Sequence, residues 1–471
     1  MKFTILSHAG MLVETKGVSL MTDPWILGSC YWRSWWNYPK PVASASRLEK
    51  LDYVYITHMH WDHFHGPSLR KLPKDATILV PKTHFRRMRK DLHDCGRDRV
   101  VELPHGKPHQ LADGLVVTSY QYGLATDSAL MIDDGETVLA DMNDCKITGL
   151  PLRQMLGRHD RVDFMFRSHS SASPFPHCIR SEDDSVQHYA PNYRYVDEFI
   201  AMAGLVKPRY AIPFASNHCF LHKETFGYNA TVMTPLRVRD DFERSAPNGT
   251  KCVVMVPGDS WDSKEGFRVQ EQDYFENRDH HLAEYAKEVE PTLEKQYQLE
   301  DRVELSFRAF EKYFQRFMND TPGIVRRFSK PVVVFSFLTD PGKHWIVDLG
   351  RRTVSQAGEL PAGYAFRITV HPFVLQQCVQ KRLFATFTAS KRLTVEVKRG
   401  RMKDLMIFLQ LLDMYEYEFF PLLKQASSPR FLGVWLRRWR EIAQLGSMGL
   451  QAVWSSLRHS DPLGTFVPKV E

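Results

Sequence analysis

Thr57-His58-Met59-His60-Trp61-Asp62-His63 is the stretch on which the reading of this chain turns. It places four candidate metal ligands within six residues, in the order His-x-His-x-Asp-His. It also follows directly on Tyr53-Val54-Tyr55-Ile56, whose β-branched and aromatic residues predict a strand. Imidazoles and a carboxylate crowded this closely need a cation to relieve them. On a loop leaving a strand, His58 and His60 point the same way and hold one metal. Asp62 and His63 then turn toward a second position, on the order of 3.5–4 Å away in two-metal sites. A polar surface loop would account for the residue types but not for their spacing at a strand end.

Working outward, short β-like runs alternate with turns at Phe3–Leu6, Met11–Glu14 and Ser19–Met21. Further strands are predicted at Thr77–Val80, Leu115–Ser119, Ala129–Ile132, Thr137–Ala140 and Tyr210–Ala215. Helix-like stretches at Ser68–Leu72, Phe85–Leu92 and Tyr195–Val206 separate them, which fits an α/β layered domain over residues 1–265. Residues 266–326 turn charged and helical, with Tyr274, Tyr285, Leu293, Phe307, Phe310 and Phe314 as inward candidates. Strand-like Val332–Leu338, Trp345–Leu349, Phe366–Val370 and Leu393–Val397, with an apolar helix over Leu405–Tyr417, make a smaller α+β lobe over 327–425. Residues 426–471 read as an amphipathic basic tail.

The composition agrees with several soluble domains. With 471 residues, about two to four domains are expected, and 43% hydrophobic content is enough to bury cores and to exclude wholesale disorder. A net charge of +7 over that length is too dilute to point to nucleic acid. The seven cysteines are scattered, with no Cys-x-x-Cys pair, as expected of reduced thiols in the cytoplasm. Met1–Leu6 leads straight into a strand with no leader pattern, and no apolar run reaches the length of a membrane span, so a cytoplasmic protein is expected.

Ser7-His8-Ala9-Gly10 followed by Thr22-Asp23-Pro24-Trp25, together with the histidine motif, resembles the metallo-β-lactamase fold superfamily. The similar branch includes N-acyl phosphatidylethanolamine phospholipase D and CMP-N-acetylneuraminic acid hydroxylase. Similarity to the non-Rieske part of the hydroxylase and to related diiron oxygenases runs through Asp23–Gly28, Trp35-Trp36, Thr57–His63, Asn143-Asp144-Cys145 and Pro213-Phe214-Ala215 in the same order. The resemblance covers roughly residues 3–262 and implies an αββα sandwich with a dinuclear metal site. It also implies a bridging carboxylate, best matched by Asp144 with Asp141 as the alternative, and a last histidine, His218 with His222 as runner-up. Asp62 and Asp144 are the expected catalytic carboxylates.

The chain departs from the hydrolase pattern where a third histidine is due, in the loop Ser119–Asp127. Asp127 is the only strong ligand there, and capping the turn before Ala129 is its alternative role; His169 could reach in from a neighbouring loop. Imidazole-rich sets in this fold hold zinc and make a nucleophilic hydroxide, whereas a carboxylate in place of an imidazole suits iron or manganese. The resemblance thus implies two metal ions, iron ahead of zinc or manganese, and a non-haem diiron monooxygenase. The alternatives are a zinc-dependent hydrolase of phosphodiester, lactone or amide bonds and a ligand- or lipid-binding protein with a vestigial site. No Cys-x-His with a partner Cys-x-x-His occurs here, so electrons would come from a separate ferredoxin, flavoprotein or cytochrome.

Trp32, Trp35 and Trp36, in the most aromatic stretch, are candidate walls for a small-molecule or carrier-linked substrate, or a plug between domains. Ser170–Tyr195 is a candidate lid. The small lobe resembles sterol-carrier-like domains at Lys343–Leu349 and Ser390–Leu393, with a structural or dimerisation lobe as the plainer reading. Residues 431–454 set tryptophans beside arginines, a pattern for peripheral contact with an anionic membrane or for packing on the body of the protein.

Overall fold

The computed structural model describes residues 1–42, 48–124, 126–170, 172–189, 192–245, 249–323 and 329–447. Two sheets lie face to face. The first has eight strands, in the order Gly266–Arg268, Ser260–Asp262, Lys2–Ile5, Met11–Thr15, Val18–Thr22, Tyr53–Tyr55, Thr77–Pro81, Val100–Leu103. The second has seven, in the order Lys251–Cys252, Tyr210–Pro213, Phe164–Arg167, Val138–Asn143, Asp127–Asp133, Leu115–Tyr122, His109–Ala112.

Period-2 alternation sorts each strand's residues between the layers. Leu79 turns into the space between the sheets while Ile78 and Val80 face outward. Likewise Phe164 and Phe166 point inward and Met165 outward. Phe3 of the first sheet meets Phe164 and Phe166 of the second edge-on at 5.0 and 5.2 Å, which ties the two sheets together at their centre.

Helices cover both outer faces. Gly149–Leu156, Asn192–Val206 and Pro235–Ser245 pack on the second sheet through Leu152, Phe199 and Phe242. Gly66–Leu69 and Arg87–Asp94 pack on the first through Leu69, Met88 and Leu92. The αββα sandwich expected from the sequence is therefore present. The charged segment after it forms two helices, Arg278–Glu300 and Phe307–Asp320. In them Tyr285, Leu293, Phe310 and Phe314 are buried and Phe307 is partly buried, while Tyr274, which precedes them, is exposed.

The C-terminal lobe is a six-stranded sheet whose first five strands in spatial order are Ile179–Ser181, Leu393–Val397, Phe366–Val370, Val332–Phe337 and His344–Asp348; Thr353–Ala357 closes the far edge. The edge strand Ile179–Ser181 comes from within residues 1–265 and pairs in parallel with Leu393–Val397. Helices Phe307–Asp320, Pro372–Lys381 and Met402–Glu416 cover this sheet, and its core is continuous with that on the outer face of the first sheet. A buried ionic knot adds to the junction. Arg392 donates to both carboxylate oxygens of Glu300, at 2.6 and 2.7 Å, and to Glu224 at 2.6 Å.

Pro429–Arg437 is helical, and a second helical stretch runs from 439 to 447. On this tail Trp435 packs against His84, Phe419 and Phe431. The remainder of the expected amphipathic stretch, 448–454, lies outside the described residues, as do Ala125 and positions 171, 190 and 191 of the expected lid. Among the described residues no helix is long and apolar enough to cross a membrane.

Candidate metal centre

Parallel pairing gathers the site. Val18–Thr22, Tyr53–Tyr55 and Thr77–Pro81 run parallel in one sheet, and Val138–Asn143, Phe164–Arg167 and Tyr210–Pro213 do so in the other. Their carboxyl ends therefore share one edge, and the segments leaving them carry Asp23, the histidine motif, Asp144, His169 and His218. Asp23, Asn143 and Ala215 adopt left-handed backbone at these exits, with φ of 36°, 44° and 50°. Such a conformation is uncommon away from glycine and bends each chain sharply at the site. Gly10 closes the turn before the second strand, where a Cβ would come within 2.4 Å of Ser7 Oγ.

Two ligand groups result. His58, His60 and Asp144 form one, and His8, Asp62 and His63 the other, with the ligand atoms in each within 4.8 Å of one another. His63 Nε2 lies 3.3 Å from Asp62 Oδ2 and 3.4 Å from Asp144 Oδ2, so Asp144 reaches both groups. Asp23 fixes the His63 ring, with 2.7 Å between Nδ1 and Asp23 Oδ2. Asp23 also accepts from the Thr57 backbone N–H and hydroxyl at 2.8 Å each and from Asn143 Nδ2 at 2.7 Å. Tyr31 donates its hydroxyl to Asp62 Oδ1. Oriented this way, His63 turns Nε2 toward the two carboxylates, the arrangement of a metal ligand backed by a carboxylate.

His8, Asp23 and Tyr31 had no assigned role in the sequence reading. The Ser7–Gly10 stretch was the signal for His8, and Asp23-Pro24 was the signal for Asp23; Tyr31 had only its place in the aromatic loop. Asp127 is half-buried near His60 and Asp144 but outside both ligand groups, and its Oδ1 is buried without a hydrogen-bond partner. Burial pushes its carboxyl up to about 6. His218 is buried beside His8, 5.6 Å between rings, with both nitrogens unpartnered, and it stacks on Trp35 at 3.7 Å. His169 is fully buried, and burial lowers its pKa to about 3.

Asp141 lies apart from both groups, facing inward between the sheets, where burial and the nearby Asp23 carboxylate drive its pKa well up. His222 sits in the ionic knot, 3.6 Å from Glu300. Of the three tryptophans, Trp35 backs His218, and Trp36 packs on Tyr285 of the helix Arg278–Glu300. Trp32 alone of the three lines the cavity described next.

The donor set fits cations. Burial and the neighbouring imidazoles of His63 and His60 hold His58 well below the usual histidine range. Burial opposes a charged His63, but the carboxylates of Asp62 and Asp23 outweigh it and hold its pKa well above normal. His63 Nε2, Asp127 Oδ1 and both nitrogens of His218 are buried without hydrogen-bond partners, as metal-facing atoms are. Cations held by the two ligand groups would satisfy His63 Nε2, whereas Asp127 and His218 lie outside those groups.

A cavity of about 1040 Å³ lies behind the motif loop, between the sandwich and the C-terminal lobe. Trp32, Trp61 and Phe64 supply an apolar wall, and Arg87, Arg382 and Tyr417 face it from other elements. Met59 and Trp61 alternate with the ligands His58, His60 and Asp62, so the loop presents ligands on one side and this wall on the other.

Residues 21–166 match the sequence family described as the beta-lactamase superfamily domain. A Mycobacterium tuberculosis protein named a Rieske 2Fe-2S iron-sulfur protein is 27% identical over 282 residues, covering 56% of this chain and 54% of that one. Cytidine monophosphate-N-acetylneuraminic acid hydroxylase of Danio rerio is 40% identical over 84 residues, 17% of this chain and 14% of that one. An isothiocyanate hydrolase from Delia radicum gut bacteria aligns over 56% of this chain and 99% of its own, with 15% identity and a TM-score of 0.42. The chain spans 54% of the length of the curated relative it matches first. By its fold and by the match over residues 21–166, the N-terminal sandwich carries a domain of the beta-lactamase superfamily.

Proposed function

We propose that this protein is a non-haem diiron monooxygenase that hydroxylates an organic substrate with dioxygen and electrons from a separate donor. The observation that carries the reading is the donor set. Asp144 reaches both ligand groups, which together set two carboxylates beside four imidazoles, and the half-buried Asp127 near His60 supplies a further carboxylate where the resemblance implies a third imidazole. Such a set is harder and more anionic than the imidazole-rich sets that favour zinc, and it suits iron. The names of the mycobacterial iron–sulfur relative and of the hydroxylase lean the same way.

Bound iron would supply dioxygen activation, with one oxygen atom entering a C–H bond and the other leaving as water once two electrons and two protons have arrived. The chain's own part is positional. Asp23 and Tyr31 orient His63 and Asp62. Trp32, Trp61 and Phe64 give an apolar part of a substrate a dry wall beside the motif loop. A ferredoxin, flavoprotein or cytochrome is the expected class of donor.

Elemental analysis of protein purified without chelators, paired with a Mössbauer spectrum, tests this. Two irons per chain, with dioxygen uptake on adding a chemical reductant, is the expected outcome. Stoichiometric zinc without iron would overturn it in favour of a metal-dependent hydrolase.

A further inference from the structure

We propose that the C-terminal helical segment is a docking face for an anionic lipid surface. The inference is independent of the metal chemistry. Seven of the 18 large apolar side chains exposed among the described residues fall within positions 422–445: Leu422, Leu423, Leu432, Leu436, Trp439, Ile442 and Leu445. Leu423 is 88% exposed, Leu436 68% and Trp439 53%. Five of them, at 432, 436, 439, 442 and 445, are exposed along the two consecutive helical stretches.

These side chains are not free to turn inward, because other residues of the same segment are fastened to the body of the protein. Arg438 and Glu441 form a buried pair. Arg438 donates to the Gly123 carbonyl at 2.7 Å, and Glu441 accepts the Gly123 N–H at 2.7 Å. Trp435 packs on Phe419 and Phe431. The exposed apolar side chains are thus held toward solvent by these anchoring contacts.

Charge selects the occupant. Glu441 is the only acid between positions 419 and 447, and it is turned inward against Arg438. Arg430 is matched by Glu102. Lys424 and Arg437 are exposed, and Arg440 lies over the Trp439 ring at 4.7 Å. An exposed apolar segment with a tryptophan and uncompensated cations is complementary to an anionic bilayer surface, where the ring sits at headgroup level and the cations meet lipid phosphates or carboxylates. A second copy of the chain would set these cations against each other.

The test is co-sedimentation of the full chain with vesicles of phosphatidylcholine alone and with vesicles containing roughly one-third phosphatidylserine, the class of lipid that attracts polybasic segments. Binding to the anionic vesicles only is expected, lost at about 1 M salt, where the Debye length shrinks to about 3 Å. The double variant R437A/R440A should bind about fivefold more weakly for each cation removed. L436E/W439E should not bind, and its melting temperature should match that of the parent because both side chains are exposed. No sedimentation with either vesicle, or binding that both variants retain, would overturn the proposal. So would a dimer in solution that Leu436→Glu dissociates, since the apolar segment would then be covered by a second copy.

Discussion

Four groups from three residues converge on Asp23: the Thr57 N–H, the Thr57 hydroxyl, the His63 ring and the Asn143 amide. Asp23→Asn keeps the volume but replaces one acceptor oxygen with a donor. The ring orientation of His63 should loosen, and the affinity for the metal it faces should fall by about 10–100-fold. Competition against a chromophoric chelator measures this, and an unchanged affinity would remove Asp23 from the positioning role. The motif itself was legible in the sequence, because its ligands are adjacent and its spacing is rare. For the bridging carboxylate the sequence favours Asp144 by resemblance alone, with Asp141 as the alternative, since both follow the same predicted strand. Leu139 and Asp141 share the inward face, and the left-handed turn at Asn143 then sends Asp144 to the motif loop. Alternation can be counted along a sequence, but the bend that ends it depends on what the strand exits against.

The tail shows the same limit among elements. Its amphipathic pattern was readable, and packing and surface contact were both open. The structure gives its residues different work: Arg438 and Glu441 fasten the Gly123 turn, four residues before Asp127, and the apolar side chains from Leu432 to Leu445 are exposed among the described residues. Gln444 extends the clamp by accepting the Leu150 N–H at 3.1 Å, beyond the loop that carries Asp144. Glu441→Gln leaves Arg438 buried without its counter-charge, which costs about 3–5 kcal/mol in comparable broken pairs. Both a lower denaturation midpoint and a lower metal-to-protein ratio after dialysis are expected. A loss of stability with full metal retention would show that the clamp does not position the Asp127 loop. Long, strongly patterned elements such as Phe366–Val370 and Leu393–Val397 were found at their predicted bounds. The strand Ile179–Ser181 was not anticipated, because three residues carry no period and its partner lies more than 200 residues away.

Sandwich and lobe behave as one body because apolar and ionic contacts both cross between them. Glu300 is central to the ionic part. Burial alone would raise its carboxyl, but His222 and Arg392 hold it well below the usual glutamate range. Its stabilisation is therefore full above about pH 4.3, the ordinary glutamate value, and is lost as the pH falls below that toward the depressed native value. Glu300→Gln should cost about 3 kcal/mol or more at pH 7. The gap to the parent should narrow in urea titrations at lower pH; an equal gap at both would assign the cost to packing. The strand Ile179–Ser181 also has a consequence for biosynthesis. It leaves the ribosome long before Leu393–Val397, the strand it must lie beside. At about 5–20 residues per second, that partner follows some 10–40 s later. For that interval the nascent sandwich holds out a strand with no neighbour, so the growing chain has a built-in window of exposure to chaperones and to proteases.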